Sequence, residues 1–245
     1  MSETNVVLIT GANRGIGYGV ARNLAKQHAD YLVIIGSRDA AKGQEAASAL
    51  NAEGLPSVTS VEIDVTSDES ISAAKAYIEE KYRRLDVLIN NAGVALDVKD
   101  CGKYPLREMM KRTYEVNVFG AAAVTEAFIP LLEKSKNPRI VFTSSTVGSL
   151  ERASDPANPW ATARIPAYST SKAALNMLMV YYANILREKG FKVNASCPGY
   201  IGTDLNNHRG TGTLDEGAAN LIRLATLPED GESGTFSTAE GPRPW

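Results

Sequence analysis

The chain has 245 residues, with 26 Lys+Arg against 28 Asp+Glu, a formal net charge of −2 and 44% hydrophobic residues. This length suits one compact α/β domain that buries its core without metal or disulfide staples. The balanced charge gives no electrostatic case for nucleic acid, which favours a basic face, or for an anionic membrane surface.

The only cysteines, Cys101 and Cys197, show no CxxC or Cys/His spacing, which fits a reducing compartment rather than a disulfide framework. The N-terminus lacks the basic start and long apolar stretch of a signal peptide. No apolar run is read as approaching a membrane span, so a soluble cytoplasmic protein is expected.

Short apolar runs at 6–10, 31–36, 58–64, 87–90, 139–144 and 192–197 predict buried parallel strands. Amphipathic stretches at 15–28, 40–53, 67–82, 107–134, 167–189 and 214–227 predict the helices between them. Repeated β-α-β units imply right-handed crossovers and an α/β, Rossmann-type doubly wound parallel sheet with helices on both faces. No repeat or linker divides the chain, so one domain over 1–245 is expected, with a cofactor half at about 1–145. Loops at 151–164, with Pro156, Pro159 and Trp160, and at 206–212, with His208, follow strands at the ligand-binding end of such sheets. They are candidate substrate-pocket walls within substrate-facing segments at about 146–165 and 200–213, or ordinary surface loops. The segment 234–245 reads as a short last strand and a tail, in which Trp245 covers the pocket or packs a neighbouring subunit.

The first strand runs into Thr10-Gly11-Ala12-Asn13-Arg14-Gly15-Ile16-Gly17. Gly11 permits a tight turn, Gly15 lets backbone approach a pyrophosphate, and Gly17 lets the helix pack close to the strand. Phosphates then meet the free N–H groups of a helix N-terminus. A glycine triplet alone also suits an ordinary turn; the strand before it and the helix after it favour a dinucleotide.

Further motifs follow in order. Asn90-Asn91-Ala92-Gly93 ends the fourth strand, Asn117 lies in a long helix, and Ser144-Ser145 ends the fifth strand. Tyr168 and Lys172 form a YxxxK pair, and Pro198-Gly199-Tyr200-Ile201-Gly202-Thr203 follows the sixth strand. Together with TGxxxGxG, these resemble the short-chain dehydrogenase/reductase family over nearly the whole chain, most of all its carbonyl reductase branch. The resemblance implies that Asp64 and Val65 lie beside the adenine and that Asn91, Ala92 and Gly93 pass along the cofactor. It places Pro198, Gly199, Ile201 and Thr203 beside the nicotinamide. Asn90 is left to hold neighbouring strands together.

The residue ending the second strand touches the adenosine ribose, where an acid would repel a 2′-phosphate. This chain has Ser37 there, followed by Arg38, whose planar donor fork suits a phosphate. Arg14 can reach the same phosphate from the other side, so NADP(H) is expected. Asp39 is the competing signal, because a strand ending one residue away would bring an acid nearer the ribose.

Reducing a carbonyl by hydride leaves charge on oxygen that a proton must quench. Tyr168 and Lys172, four apart on a predicted helix, share a face. A free phenol has a pKa of about 10, and nearby positive charge favours its phenolate. Tyr168 is thus the acid in reduction and the base in oxidation, and Lys172 tunes it. The resemblance adds that Lys172 holds the nicotinamide ribose, Ser145 bonds the substrate oxygen, with Ser144 the alternative, and Asn117 distorts its helix and holds a water in a proton path. Tyr168 lies 23 residues after Ser145, longer than the usual family gap.

The two distant histidines, His28 and His208, give no metal site. Cys197 reads as a packed thiol rather than a nucleophile. The expected activity is NADPH-dependent reduction of a small-molecule ketone or aldehyde. Alternatives are a ketoreductase for a β-ketoacyl or polyketide-type substrate and a non-catalytic NADP(H) sensor. Leu150, Trp160, Tyr200 and Leu205 would shape an apolar or aromatic pocket. A homodimer or homotetramer is implied by the family, with monomers in the carbonyl reductase branch.

Overall fold

The computed structural model describes residues 4–100 and 102–245, so Cys101 lies outside the described residues. The strands are β1 (Asn5–Thr10), β2 (Tyr31–Ser37), β3 (Val58–Glu62), β4 (Val87–Asn90), β5 (Arg139–Thr143), β6 (Lys192–Ser196), β7 (Phe236–Thr238) and β8 (Gly241–Pro242). They form one sheet in the order β3-β2-β1-β4-β5-β6-β7-β8. All neighbours are parallel except β7 and β8.

Helices α1 (Gly15–Gln27), α2 (Ala40–Ala52) and α9 (Leu214–Ala225) cover one face, and α3 (Asp68–Tyr82), α6 (Ala121–Leu132) and α8 (Pro166–Ile185) the other. Alternate strand residues therefore enter separate cores. Leu8, Ile34, Leu88 and Phe142 meet Phe128 and Met179, whereas Val7, Ile9, Val33 and Ile89 meet Leu24, Leu50 and Leu221. Burial on both faces explains why these strands read as unbroken apolar runs. The sheet order reverses between β1 and β4, which places a binding crevice beyond their C-terminal ends.

Several boundaries differ from the sequence reading. The third strand stops at Glu62, because Asp64 turns the chain: its carboxylate accepts from the Thr66 amide at 2.9 Å, and its own amide donates to Ser70 Oγ at 2.8 Å. A short helix α4 (Leu96–Lys99) precedes α5 (Leu106–Tyr114). The predicted helix over 107–134 is α5, a π-helical stretch Glu115–Gly120 and α6 in continuous succession. That 27-residue helix, Leu106–Leu132, is long and apolar enough to cross a membrane by composition, contrary to the sequence reading. Much of its apolar surface packs into the core instead: Val124, Phe128, Leu131 and Leu132 are fully buried, although Leu106 and Phe119 are exposed. Part of the segment before Tyr168 is also helical, as α7 (Leu150–Ser154). The tail forms two strands, and Trp245 stacks on Phe236 with ring centroids 5.7 Å apart.

At the edge of the sheet opposite the crevice, Asp86 ties β1 to β4. Its carboxylate accepts from the Val6 amide at 2.8 Å, Ser135 Oγ at 2.6 Å and Arg84 Nε at 3.1 Å, and the residue is 4% exposed. Asp86→Ala strands buried donors and should lower the unfolding free energy by about 2–3 kcal/mol. Urea denaturation monitored by far-UV circular dichroism checks this, with a loss below about 0.5 kcal/mol contradicting it.

Candidate active site

The glycine turn sits at the mouth of the crevice. Gly11 has φ +65°, and a Cβ there would lie 2.9 Å from Ala92 Cα. A Cβ on Gly17 would fall 2.4 Å from Asn91 Nδ2 and 2.9 Å from Ala12 Cα. Asn91 Nδ2 donates to the Thr10 and Gly11 carbonyls at 2.8 and 3.2 Å, and Thr10 Oγ1 accepts from the Asn91 and Ala92 amides, each at 3.0 Å. Asn91, rather than Asn90, thus joins the neighbouring strands. Asn90 is directed away, donating to Thr125 Oγ1 of α6 at 2.9 Å.

The other motifs converge on this turn. A Cβ on Gly15 would face Thr203 Cγ2 at 3.7 Å, and one on Gly93 would lie 3.4 Å from Asn117 Oδ1 and 3.7 Å from Lys172 Nζ. Asn117, 1% exposed, sits in the π-helical stretch; it accepts from the Val94 amide at 2.8 Å and donates to the Val94 carbonyl at 2.9 Å and Ser171 Oγ at 3.0 Å. It therefore clamps the segment after Gly93 to α8. Val65 packs under Gly120, the last residue of that stretch.

Tyr168 and Lys172 lie one turn apart on α8, with Lys172 Nζ 5.6 Å from the Tyr168 ring centroid. Lys172 is 4% exposed and donates to the Thr143 carbonyl at 2.7 Å. Burial lowers its pKa to about 8. Burial, more than the proximity of Cys197, raises that of Tyr168, while a hydrogen bond from Ser145 opposes the rise. Desolvation thus favours the protonated phenol. The serine pair divides: Ser144 Oγ donates to Asn176 Oδ1 at 2.5 Å in the core, whereas Ser145 faces Tyr168. Cys197 is buried and accepts from the Thr146 amide at 3.3 Å.

Other predicted positions lie further out. Ser37 is buried and donates to the Asp39 carbonyl at 2.8 Å, and Arg38 is exposed. Asp39 caps α2, accepting from the Lys42 amide at 3.1 Å, so its carboxylate is engaged in starting a helix. Arg14 does not extend toward Arg38; its Nη1 pairs with Asp204 Oδ2 at 2.6 Å, and His208 Nε2 bonds the same carboxylate at 2.7 Å. Asn13 and Ile16 are half-buried in the turn, as is Pro198, and Gly199 is exposed with φ +88°. The Ile201 carbonyl accepts from Asn206 Nδ2 at 2.9 Å. Trp160 meets Tyr200 edge-on, with ring centroids 5.4 Å apart, which joins the two proposed pocket walls. Surface clefts beside Arg22 and Asp215, and beside Val65 and Phe119, are separate from Tyr168.

A dinucleotide fits these residues. Arg14 at the N-cap of the 13-residue α1 supplies no side-chain cap, so the amides of the first turn face the crevice free for phosphate. Gly11 and Gly17 hold the turn in a form that side chains would block. Thr143, Asn176 and Asp97, which support the site, carry no motif signal, because their contacts arise only in three dimensions.

The short chain dehydrogenase family profile matches residues 5–213. The chain is 41% identical to the short-chain dehydrogenase/reductase ATR10 of Stachybotrys chlorohalonatus, over 98% of this chain and 90% of that protein. It is 31% identical to salutaridine reductase of Papaver bracteatum, over 96% and 94%. Among solved structures, the NADPH-bound carbonyl reductase from chicken fatty liver aligns with a TM-score of 0.85 and 31% identity, covering 99% of this chain and all of that one. The chain belongs to the short-chain dehydrogenase family. It is an oxidoreductase of CH–OH and C=O groups, and the family's cofactors are NAD(P).

Lys172 binds its proton more weakly when folded than the usual 10.5, so the fold disfavours its charged form below about pH 8, and that cost fades as pH rises toward 10.5. Lys172→Met should therefore stabilise the cofactor-free protein near pH 7, by up to about 3 kcal/mol less the lost bond to Thr143, and so raise its melting temperature. The advantage should shrink between pH 8 and 10. Calorimetry across that range tests the sign; a pH-independent difference contradicts it.

Proposed function

We propose that this protein reduces a ketone or aldehyde to an alcohol with NADPH, reversibly, with Tyr168 as proton donor. The grouping of half-buried Tyr168 and Ser145 around buried Lys172 carries the reading. When bound, the nicotinamide supplies or receives the hydride. Tyr168 delivers its proton to the carbonyl oxygen in reduction and recovers one in oxidation. Ser145 holds that oxygen, and Lys172 lowers the energy of the phenolate left behind. Asn117 keeps Lys172 and the segment after Gly93 in register.

Residues 1–145 form the cofactor half in this reading, and 146–165 and 200–213 face the substrate. Gly11, Asn13, Arg14, Gly15, Ile16 and Gly17 receive the pyrophosphate side, and Asp64, Val65, Asn91, Ala92 and Gly93 line the adenosine path. Pro198, Gly199, Ile201 and Thr203 hold the nicotinamide end. Ser37 leaves room for a 2′-phosphate, and Arg38, exposed beside it, supplies charge. The engagement of Asp39 as a helix cap supports NADP(H) over NAD(H), because it removes the competing acid. For Arg14 to join Arg38, it would have to exchange Asp204 for phosphate. The edge-on pair Trp160–Tyr200 favours a bulky apolar or ring-bearing ketone, and polyketide-type substrates fall in that class. The exposed apolar side chains of α8, Met177, Tyr181 and Ile185, support pairing as a homodimer or homotetramer over a monomer. The cytoplasm is the compartment this reading assigns.

NADPH and NADH oxidation against a panel of aliphatic, aromatic and polycyclic carbonyls tests the function. Turnover of ring-bearing ketones with NADPH is expected; tight NADPH binding with no turnover would instead indicate a sensor. Tyr168→Phe should cut kcat at least about 100-fold with NADPH affinity retained, and near-normal reduction by this variant would remove Tyr168 from the chemistry. Arg38→Asp should move the ratio of kcat/KM values toward NADH by about tenfold or more; an unchanged ratio rules out Arg38 as the selector.

A further inference from the structure

Helix α8 carries Tyr168 and Lys172, yet its first turn has no cap of its own. Ile165 at the N-cap offers no side-chain acceptor, and Pro166 opens the helix. The Tyr168 amide is satisfied from another element, by Asp97 Oδ2 of α4 at 3.0 Å. Asp97 is only 5% exposed, and its Oδ1 is buried with no hydrogen-bond partner among the described residues. Capping alone does not explain this choice. A serine or asparagine caps as well without burying an unmatched acid, which is unfavourable.

We propose that Asp97 is a positioning residue for the reaction, fixing the start of the catalytic helix through the Tyr168 amide and holding the Tyr168 hydroxyl in its proton-donating form through the negative charge of its carboxylate. The inference rests on Tyr168 being the proton donor. Like charge disfavours phenolate, so Asp97, held against the Tyr168 amide, acts against Lys172 and extends reduction to higher pH. The titratable groups acting on Tyr168 or Lys172 come from three sides: Lys172 on α8 itself, Cys197 after β6 and Asp97 on α4. Charges on the other elements packed against α4 are matched elsewhere or solvated. Glu108 pairs with Arg112, Asp204 pairs with Arg14 and His208, and Arg107 and Lys111 are exposed. Asp100, next to α4, pairs with Lys103.

Asp97→Asn keeps an oxygen for the Tyr168 amide and removes the charge. With a ketone that the wild-type chain reduces, the pH profiles of kcat/KM should be compared in both directions. Removing the charge should shift the alkaline fall of reduction and the acid fall of alcohol oxidation to lower pH, by about half a unit or more. A purely structural cap would leave both limbs in place and alter only the melting temperature, and that result overturns the proposal. Asp97→Ser, a smaller neutral cap, gives the same reading if the asparagine variant does not fold, as judged by near-UV circular dichroism. Tyr168→Phe is run in parallel. Retained turnover there defeats the parent reading, whereas an inactive Tyr168→Phe with unmoved limbs in the folded Asp97 variant defeats this inference alone.

Discussion

Asn91 and Thr10 clasp the ends of two parallel strands where the sheet order reverses. The Asn91 amide group donates to two carbonyls of the glycine turn, while the Thr10 hydroxyl accepts from two amides that β4 leaves unpaired. A parallel pair ends in backbone groups that no strand continues to satisfy, and at a crevice these must find partners or water. Here side chains satisfy them, which leaves the backbone surface above free to approach a ligand. Gly17 is bound up with the same clasp, because a side chain there would displace Asn91. Ala92 then meets Gly11, and Gly93 meets Asn117 and Lys172. The geometry of the catalytic helix is thus referred back, contact by contact, to the first strand.

Burial acts on Tyr168 and Lys172 in opposite directions. It favours the neutral phenol and weakens the ammonium, so burial alone brings Lys172 down to about 8 while it holds Tyr168 above its usual value. The Thr143 carbonyl holds Lys172 in place meanwhile. A site arranged this way spends stability on function. The buried ammonium is a liability to the fold, which the proposed role of Lys172 in the reaction would offset, a trade-off typical of preorganised sites.

The outer parts of the crevice are held more loosely. Arg14, Asp204 and His208 form an exposed group that links the glycine turn to the loop after β6, where Asn207 and His208 take left-handed backbone conformations. Exposed ion pairs are weak individually, so such a link can exchange partners when a phosphate enters. Trp160 and Tyr200 join their loops by an aromatic contact rather than by charge.

The sequence by itself determined the doubly wound architecture, the motif positions and the alternation of strands and helices, because these are local signals: apolar runs, caps and turn-forming glycines act over a few residues. The choice of Ser145 over Ser144 rested on the family resemblance alone. Tertiary structure decided which asparagine clasps the strands, since Asn90 and Asn91 are adjacent and differ only in the face to which the strand turns them. It decided that the long apolar helix at 106–132 serves a core, since composition is blind to what covers a face. It alone brought Asp97 to the Tyr168 amide across 71 residues of chain. Contacts of that separation depend on where whole elements pack, and no local pattern encodes the outcome.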